Sequence, residues 1–463
     1  MLAASAPKPS LTRGLASSIA AIRYDDLPAD VVAAARRLIL DGIAVAVAGA
    51  RERPPRILAE YFATAGKEGP CDVIGFGLRL SPAAACAVNG ASMHVLDFEP
   101  MWSPANHQAS PSVPVGLAVG QLAGKSGREI LTSIVVGCEV MGRLRAAEGL
   151  TEARAINFHF PGVVGPLGAA ALAAHLLGLS EAEIAYALGI AGSSAGTLLA
   201  NAGSMTKCLH TGHAASAGAE AALLARAGYT ANAEILDAPS GYCAAFMPSY
   251  DDRPLREFGT PFRIVSPGYA IKMFPSQYGT HFAITAALEA RQPVDDTTTI
   301  RRVLIRGPEM PYINRPSPST GLEGKFSFQY TAAAAILDGK IDIDTFTDQR
   351  LRADDLQRLL PLIEFVPVAG AKGYFEEMHV EVIIEMDNGL TSIGRCDAPR
   401  GYLDKGPPLA TEVHLTKVRH CLGRALPASR IEEVVAMTSR FEHLDAKEVG
   451  TLMRLIAEPA KIN

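Results

Sequence analysis

Two histidines and an aspartate crowd the stretch NGASMHVLDFEPMWSPANHQAS (89–110) around Trp102, the only tryptophan of the chain. So many polar side chains in a proline-punctuated segment of a mostly apolar protein read as one wall of an acid–base site. An imidazole near a carboxylate can move a proton close to neutral pH, and Asp97 and His107 are the candidates. A second segment, NAGSMTKCLHTGHAA (201–215), sets Lys207 ahead of His210 and of a helix expected to begin near Thr211. A third, IKMFPSQYGTHFAI (271–284), sets Lys272 near Pro275 and His281. Ammonium groups just ahead of helix N-termini, where backbone N–H groups are free, suit carboxylate binding. Together the segments point to proton transfer on an anionic substrate.

Other chemistries fit less well. His94 and Asp97 are three residues apart, as are His210 and His213, so each pair could share a helical face and ligate an ion. Neither pair belongs to an HExxH or to a cysteine–histidine cluster, so capping or hydrogen bonding explains them better and no metal is expected. His94 is read as orienting Asp97, and His281, on the apolar helix THFAITAALEA, as buried and hydrogen-bonded. Gly192-Ser193-Ser194-Ala195-Gly196 matches G-x-S-x-G, but that nucleophile elbow follows a strand, and here a helical pattern precedes it. Gly124-Lys125-Ser126 matches only the end of a P-loop, because Val119 stands where the first glycine belongs.

The elements that must position these groups are mainly helices. Ser126 with Glu129, and Ser180 with Glu183, read as capping boxes, and LPADVVAAARRLILDGIAVAVAGA has helical spacing behind Pro28 and Asp30. The character changes near Pro267: TIRRVLIRGP alternates like a strand, and MHVEVIIEMDNGLTSIGRC is a hairpin turning at Asp387-Asn388-Gly389. FSFQYTAAAAILDG between them reads as a helix ending at Gly339. The expected organisation is a helical domain over 1–268, an α/β (α+β) unit over 269–402, and helices over 403–463 that rejoin the first domain across the loop Lys405-Gly406-Pro407-Pro408.

Composition narrows the partners. With 463 residues, 48% hydrophobic and 20% charged, the chain suits a two-domain globular protein. A net charge of -5 without a basic stripe argues against nucleic acid. Seven cysteines without a CxxC suit reduced thiols in a cytoplasm. No secretory signal is expected, since MLAASAPKPS meets Pro7 and Pro9 before any apolar run. GVVGPLGAAALAAHLLGL (162–179) comes nearest to a membrane span, but Pro166 and His175 favour a buried helix.

The stretches LILDGIAVAVAGA, NGASMHVLDFEP, FHFPGVVGPLGAAALAAHLLGLS, KCLHTGHAASAGAEAALLA, KMFPSQYGTHFAI and PYINRPSP…FSFQYTAAAAILDG resemble, in this order, the MmgE/PrpD family. It includes 2-methylcitrate dehydratases, cis-aconitate decarboxylases and iminodisuccinate epimerase. FHFPGVVG, TKCLHTGHAA and PYINRPSP look most like the decarboxylases. The resemblance implies a large all-α domain with an inserted smaller α/β lid domain, a homodimer, and a cofactor-independent lyase acting on a small di- or tricarboxylate. It carries the catalytic aspartate onto Asp97, the loop histidine onto His107, the carboxylate-binding lysines onto Lys207 and Lys272, and the active-site tyrosine onto Tyr312. His210 is a further candidate for substrate contact. Three positions depart from the pattern. Met101 replaces a threonine and Gln277 replaces a histidine of the animal decarboxylases, while Glu99-Pro100 replaces an acidic pair. A glutamine hydrogen-bonds but cannot shuttle a proton. Dehydration and decarboxylation are therefore both expected reactions, with epimerisation, or carboxylate binding without catalysis, as the alternatives.

Overall fold

The computed structural model describes residues 10–149, 157–247, 249–402, 406–407 and 409–458. The leading MLAASAPKP, and Lys405 and Pro408 of the expected loop, lie outside the described residues. The first core is built from helices, chiefly Ala29–Gly49, Pro82–His94, Ala109–Ala123, Gly127–Glu148, Pro161–Leu176 and Thr206–Arg226. Both capping boxes form: Ser126 and Ser180 accept from the backbone N–H of Glu129 and Glu183, whose side chains reach back. Pro161–Leu176, which contains Pro166, is buried against its neighbours. No helix among the described residues is long and apolar enough to cross a membrane. All seven cysteines are free and buried.

Small residues let the central helices touch. A Cβ at Gly212 would stand 2.3 Å from the carbonyl oxygen of Ala87, and one at Gly90 would stand 2.9 Å from the Gly212 Cα. This close crossing brings the end of Pro82–His94 against the start of Thr206–Arg226, which is how His94 and Lys207 meet.

The architecture has two units. The second core gathers residues from Ala270 to Tyr402 together with Met101 and Ala202. Its four-stranded sheet has the order Ile363–Pro367, Ile300–Gly307, Val380–Met386, Thr391–Cys396. The last two strands are the expected hairpin, turning at Gly389 with a φ of 84°. Ile300–Gly307 pairs antiparallel with Val380–Met386 but parallel with Ile363–Pro367, so the sheet is mixed. Helices Tyr278–Ala290 and Phe328–Asp338 pack together in this unit, and Gly339 ends the latter in the left-handed region. The helices Thr411–Gly423, Ala428–Thr438 and Ala446–Ala457 contribute to the first core. The helical part also contains a small antiparallel hairpin, Glu68–Val73 with Leu78–Leu80, that the sequence reading passed over.

Candidate active site

Asp97 lies just beyond the end of Pro82–His94, and its N–H donates to the His94 carbonyl at 2.8 Å. Among the described residues it is the only non-glycine with a positive φ, 51°. For an L-residue that conformation is unfavourable and persists only where the surroundings enforce it. The chain then runs into a two-residue strand, Met101–Trp102, paired antiparallel with Tyr269–Ala270. That short ladder brings the Lys272 segment alongside Asp97.

Two lysines converge on the carboxylate. Lys207 donates to Asp97 Oδ2 at 2.8 Å, and Lys272 donates to Asp97 Oδ1. Burial alone would raise the Asp97 carboxyl, but the two ammonium groups override it and hold it well below the usual range. Lys272 also donates to the carbonyls of Asp97 (3.0 Å) and Ser276 (2.9 Å) and is fully buried. An ammonium has three N–H groups, and all three point at protein. Burial, opposed by Asp97, lowers Lys272 to about 8. Lys207 differs: it lies in the first turn of Thr206–Arg226, which begins five residues earlier than expected, and it borders an open cavity.

Behind Lys207 runs a buried chain of polar contacts. Its ammonium donates to His94 Nε2 at 2.8 Å, and His94 Nδ1 is 2.5 Å from Glu99 Oε1. Since Nε2 accepts, Nδ1 carries the proton that faces Glu99. His94 thus bonds to Lys207 and Glu99 rather than to Asp97, which revises its expected orienting role. Glu99 accepts further from the N–H (2.7 Å) and hydroxyl (2.6 Å) of Ser110, in the first turn of Ala109–Ala123. Burial pushes its carboxyl up to about 8 against the pull of those Ser110 contacts.

Two more imidazoles complete this wall. His107 Nε2 lies 3.8 Å from Asp97 Oδ1, and its Nδ1 lies 3.7 Å from Glu99 Oε1, too far for hydrogen bonds. Burial, reinforced by Lys272 and Lys207, holds His107 well below the usual imidazole range. His159 behaves likewise, through burial and then Lys207. It precedes the helix Pro161–Leu176 and is held by bonds to and from Thr197, at 3.0 and 2.8 Å. His159, within FHFPGVVG, was not among the residues expected at the site. The available signal was a histidine directly ahead of a helix N-terminus. His210 Nδ1 sits 3.2 Å from His159 Nδ1, behind it, and burial followed by Lys207 lowers His210 to about 4.

Asp97, His107, His159 and Lys207 face a cavity of about 80 Å³, room for a small polar molecule. Gln277 and Tyr312 close one side, and Met101, Phe158, Phe326 and Phe375 supply apolar wall. Gln277 caps the helix Tyr278–Ala290 by accepting from the Gly279 N–H, while its Nε2 donates to the Tyr312 hydroxyl at 3.0 Å. The Tyr312 O–H is thereby left to donate elsewhere, and burial together with Asp97 keeps the phenol protonated. Asn106 and His159 border the same cavity, yet both amide atoms of Asn106 and Nε2 of His159 are buried without partners. Buried polar groups are almost always satisfied, so these atoms call for polar partners, water or ligand, within the cavity. A larger cavity of about 320 Å³ lies near Tyr24, Lys125 and His175. There His175 is bonded to Ser133 and the Ile22 carbonyl, and Lys125 to Glu129, so these groups are already satisfied.

His94, His107 and His159 come close enough to suggest a metal, with ligand atoms within 4.8 Å of one another. The donor set fits poorly: both His94 nitrogens are engaged, one of them by an ammonium that would repel a dication. Of the pairs first considered, His213 is exposed. His281 is buried and hydrogen-bonded to the backbone of Phe274 and Ser276, as expected, while its Nε2 has no partner. Gly192-Ser193-Ser194-Ala195-Gly196 follows the helix Glu181–Gly192 and is not a strand-borne elbow.

An acid–base pocket walled by two helix-end histidines and an aspartate-bound lysine defines the class; sequence comparison defines the family. Residues 13–254 match the MmgE/PrpD N-terminal domain and residues 274–440 the MmgE/PrpD C-terminal domain. The chain belongs to the MmgE/PrpD family. It is similar to the mouse cis-aconitate decarboxylase, 32% identical with 97% of this chain and 94% of that protein covered. The human cis-aconitate decarboxylase is 31% identical, over 96% and 95%. The cis-aconitate decarboxylase-like protein oryM of Aspergillus oryzae is 26% identical, over 98% of both.

Proposed function

We propose that the protein is a lyase acting on a small polycarboxylate by proton transfer at a carbon beside a carboxylate, with cis-aconitate as the first substrate to test. The cavity carries this reading: unpartnered polar atoms, a lysine, and two neutral imidazoles surround a space for a small polar ligand. The similarity to cis-aconitate decarboxylases supports the choice of substrate.

Lys207 keeps its third N–H for a substrate carboxylate, and the Tyr312 O–H and Asn106 amide supply further donors. Lys272, with its N–H groups taken, sets the position and charge of Asp97 instead of meeting substrate. His107 and His159 are uncharged in the free protein because burial and nearby cations disfavour the imidazolium. A bound polycarboxylate reverses that balance, since opposite charge raises an imidazole pKa. Substrate thereby brings with it the proton that the reaction consumes. In decarboxylation, the electron pair of the broken C–CO₂ bond forms a new C=C. The old alkene pair then takes a proton at the far carbon, delivered from His107 or His159. Gln277, used as a cap and as a donor to Tyr312, takes no part in the proton movement.

Turnover of a polycarboxylate panel in heavy water, followed by NMR, tests the proposal. Decarboxylation releases carbon dioxide and places one deuterium in the product; dehydration forms an alkene and water; epimerisation returns a deuterated stereoisomer. Measurable binding without turnover or exchange would establish a carboxylate-binding protein and remove the roles given to His107 and His159. The proposal includes a cytoplasmic homodimer that needs no cofactor.

A further inference from the structure

Three successive carbonyls of the Asp97 loop each accept a hydrogen bond from a different buried lysine. Lys325 donates to Leu96 O at 3.0 Å, Lys272 to Asp97 O at 3.0 Å, and Lys417 to Phe98 O at 2.8 Å. The three lysines come from separate parts of the chain. Lys272 follows the strand Tyr269–Ala270, Lys325 follows the short helix Gly321–Gly324, and Lys417 lies on the C-terminal helix Thr411–Gly423. Lys417 is also held by Asp41, from the first core, at 2.8 Å, and sits 4.2 Å from the centre of the Phe98 ring. Asp41 in turn accepts from or pairs with His414 Nε2 at 2.9 Å.

A single lysine on a loop carbonyl is ordinary hydrogen-bond satisfaction. Three in register, around the one non-glycine residue held at positive φ among the described residues, over-determine the backbone where it is least comfortable. We infer that Lys325 and Lys417 are positioning residues that, with Lys272, clamp the 96–98 backbone and so aim the Asp97 carboxylate between Lys207 and His107. Neither Lys325 nor Lys417 lines the cavity shared by His107, His159 and Tyr312, and the crevice that Lys325 does line beside Asp97 and Lys207, about 10 Å³, is too small for a polycarboxylate, so both act through the loop. Lys325 belongs to the second unit and Lys417 to the C-terminal helices. The clamp therefore makes the geometry of Asp97 depend on both being docked against the first core.

The inference rests on Asp97 being the catalytic aspartate that the family resemblance implies, beside the proton-carrying histidines, and the test separates the two. Removing Lys417 alone would leave the buried Asp41 carboxylate with His414 only, so the variant is Asp41→Asn with Lys417→Met, which makes both members of the ion pair neutral and keeps an amide oxygen for His414. The companion variant is Lys325→Met. Both should unfold near the parent and keep KM within about threefold, while kcat falls at least about tenfold, as expected when a reacting group is misplaced. A merely structural ion pair would leave kcat unchanged once folding is restored, so kcat within threefold of the parent in folded variants overturns the clamp. If the double variant does not fold, Lys325→Met decides. If the parent turns over no polycarboxylate, the functional reading fails, and the clamp is read from hydrogen exchange at residues 96–98 in Lys325→Met. At least about tenfold faster exchange supports it, and unchanged exchange overturns it.

Discussion

Replacing Lys207 by methionine tests a lysine that faces both Asp97 and the cavity. The side chain keeps its length and apolar stem but loses the ammonium. Two protein contacts disappear, to Asp97 Oδ2 and His94 Nε2, each 2.8 Å long. Asp97 retains Lys272 on its other oxygen, so it is not left as an uncompensated charge. The stability cost should be that of one under-satisfied buried group, about 1–3 kcal/mol. The loss to a bound carboxylate is a charge-assisted hydrogen bond of about 1.5–3 kcal/mol, roughly 10- to 150-fold in Kd. Calorimetric titration with tricarballylate, a saturated tricarboxylate with no alkene to react, measures this without turnover. Glutarate supplies the control: if Lys207 addresses the carboxylate that glutarate lacks, the substitution should matter far less for it. An unchanged Kd for tricarballylate in a folded variant would mean that Lys207 serves only Asp97 and His94, and the carboxylate contact proposed for it would fall.

His107→Gln and His159→Gln should each fold and lose about 10²–10⁴ in rate, the usual contribution of acid–base catalysis; a rate within threefold of the parent in one of them assigns the proton to the other. Binding of a polycarboxylate near pH 7 should take up protons, because burial and the nearby lysines keep both imidazoles uncharged in the free protein; titrations in buffers of different ionisation enthalpy would show no such uptake if the histidines stay neutral. Folding raises Glu99 from 4.5 to about 8, so its contribution to stability is complete below about pH 4.5 and lost as the pH rises through about 8. Glu99→Gln, which cannot ionise, should flatten that decline in urea unfolding, whereas an unchanged pH profile would show that Glu99 is ionised throughout. Chelators should leave turnover intact, since the three clustered imidazoles share their space with an ammonium; loss of turnover with recovery on adding one metal would defeat this.

What could be read from the sequence follows from the range of the forces involved. Helix starts at Ser126 and Ser180 were legible because a capping box is closed within four residues, and the 387–389 turn because its glycine requirement is local. The parallel pairing of Ile300–Gly307 with Ile363–Pro367 was not, since nothing in either strand names a partner more than fifty residues away. The start of the Lys207 helix was misplaced for a related reason. No side-chain cap marks it, and the Ser204 carbonyl accepting from the Lys207 N–H at 3.2 Å leaves no trace in residue type.

The candidate site divides along the same line. Asp97, His107, Lys207 and Lys272 stand out as polar residues among breakers, and the structure brings all four together. Lys325 and Lys417 have no such surroundings and are single lysines on otherwise ordinary segments. Only burial distinguishes them, and burial is a property of the assembled core. A buried lysine must find acceptors or give up its proton, since desolvation penalises the charged form. The carbonyls of the strained Asp97 loop, turned away from regular secondary structure, are acceptors in need of donors. The two requirements answer each other, which is why the loop with the least comfortable backbone collects the lysines that no local pattern could have assigned to it.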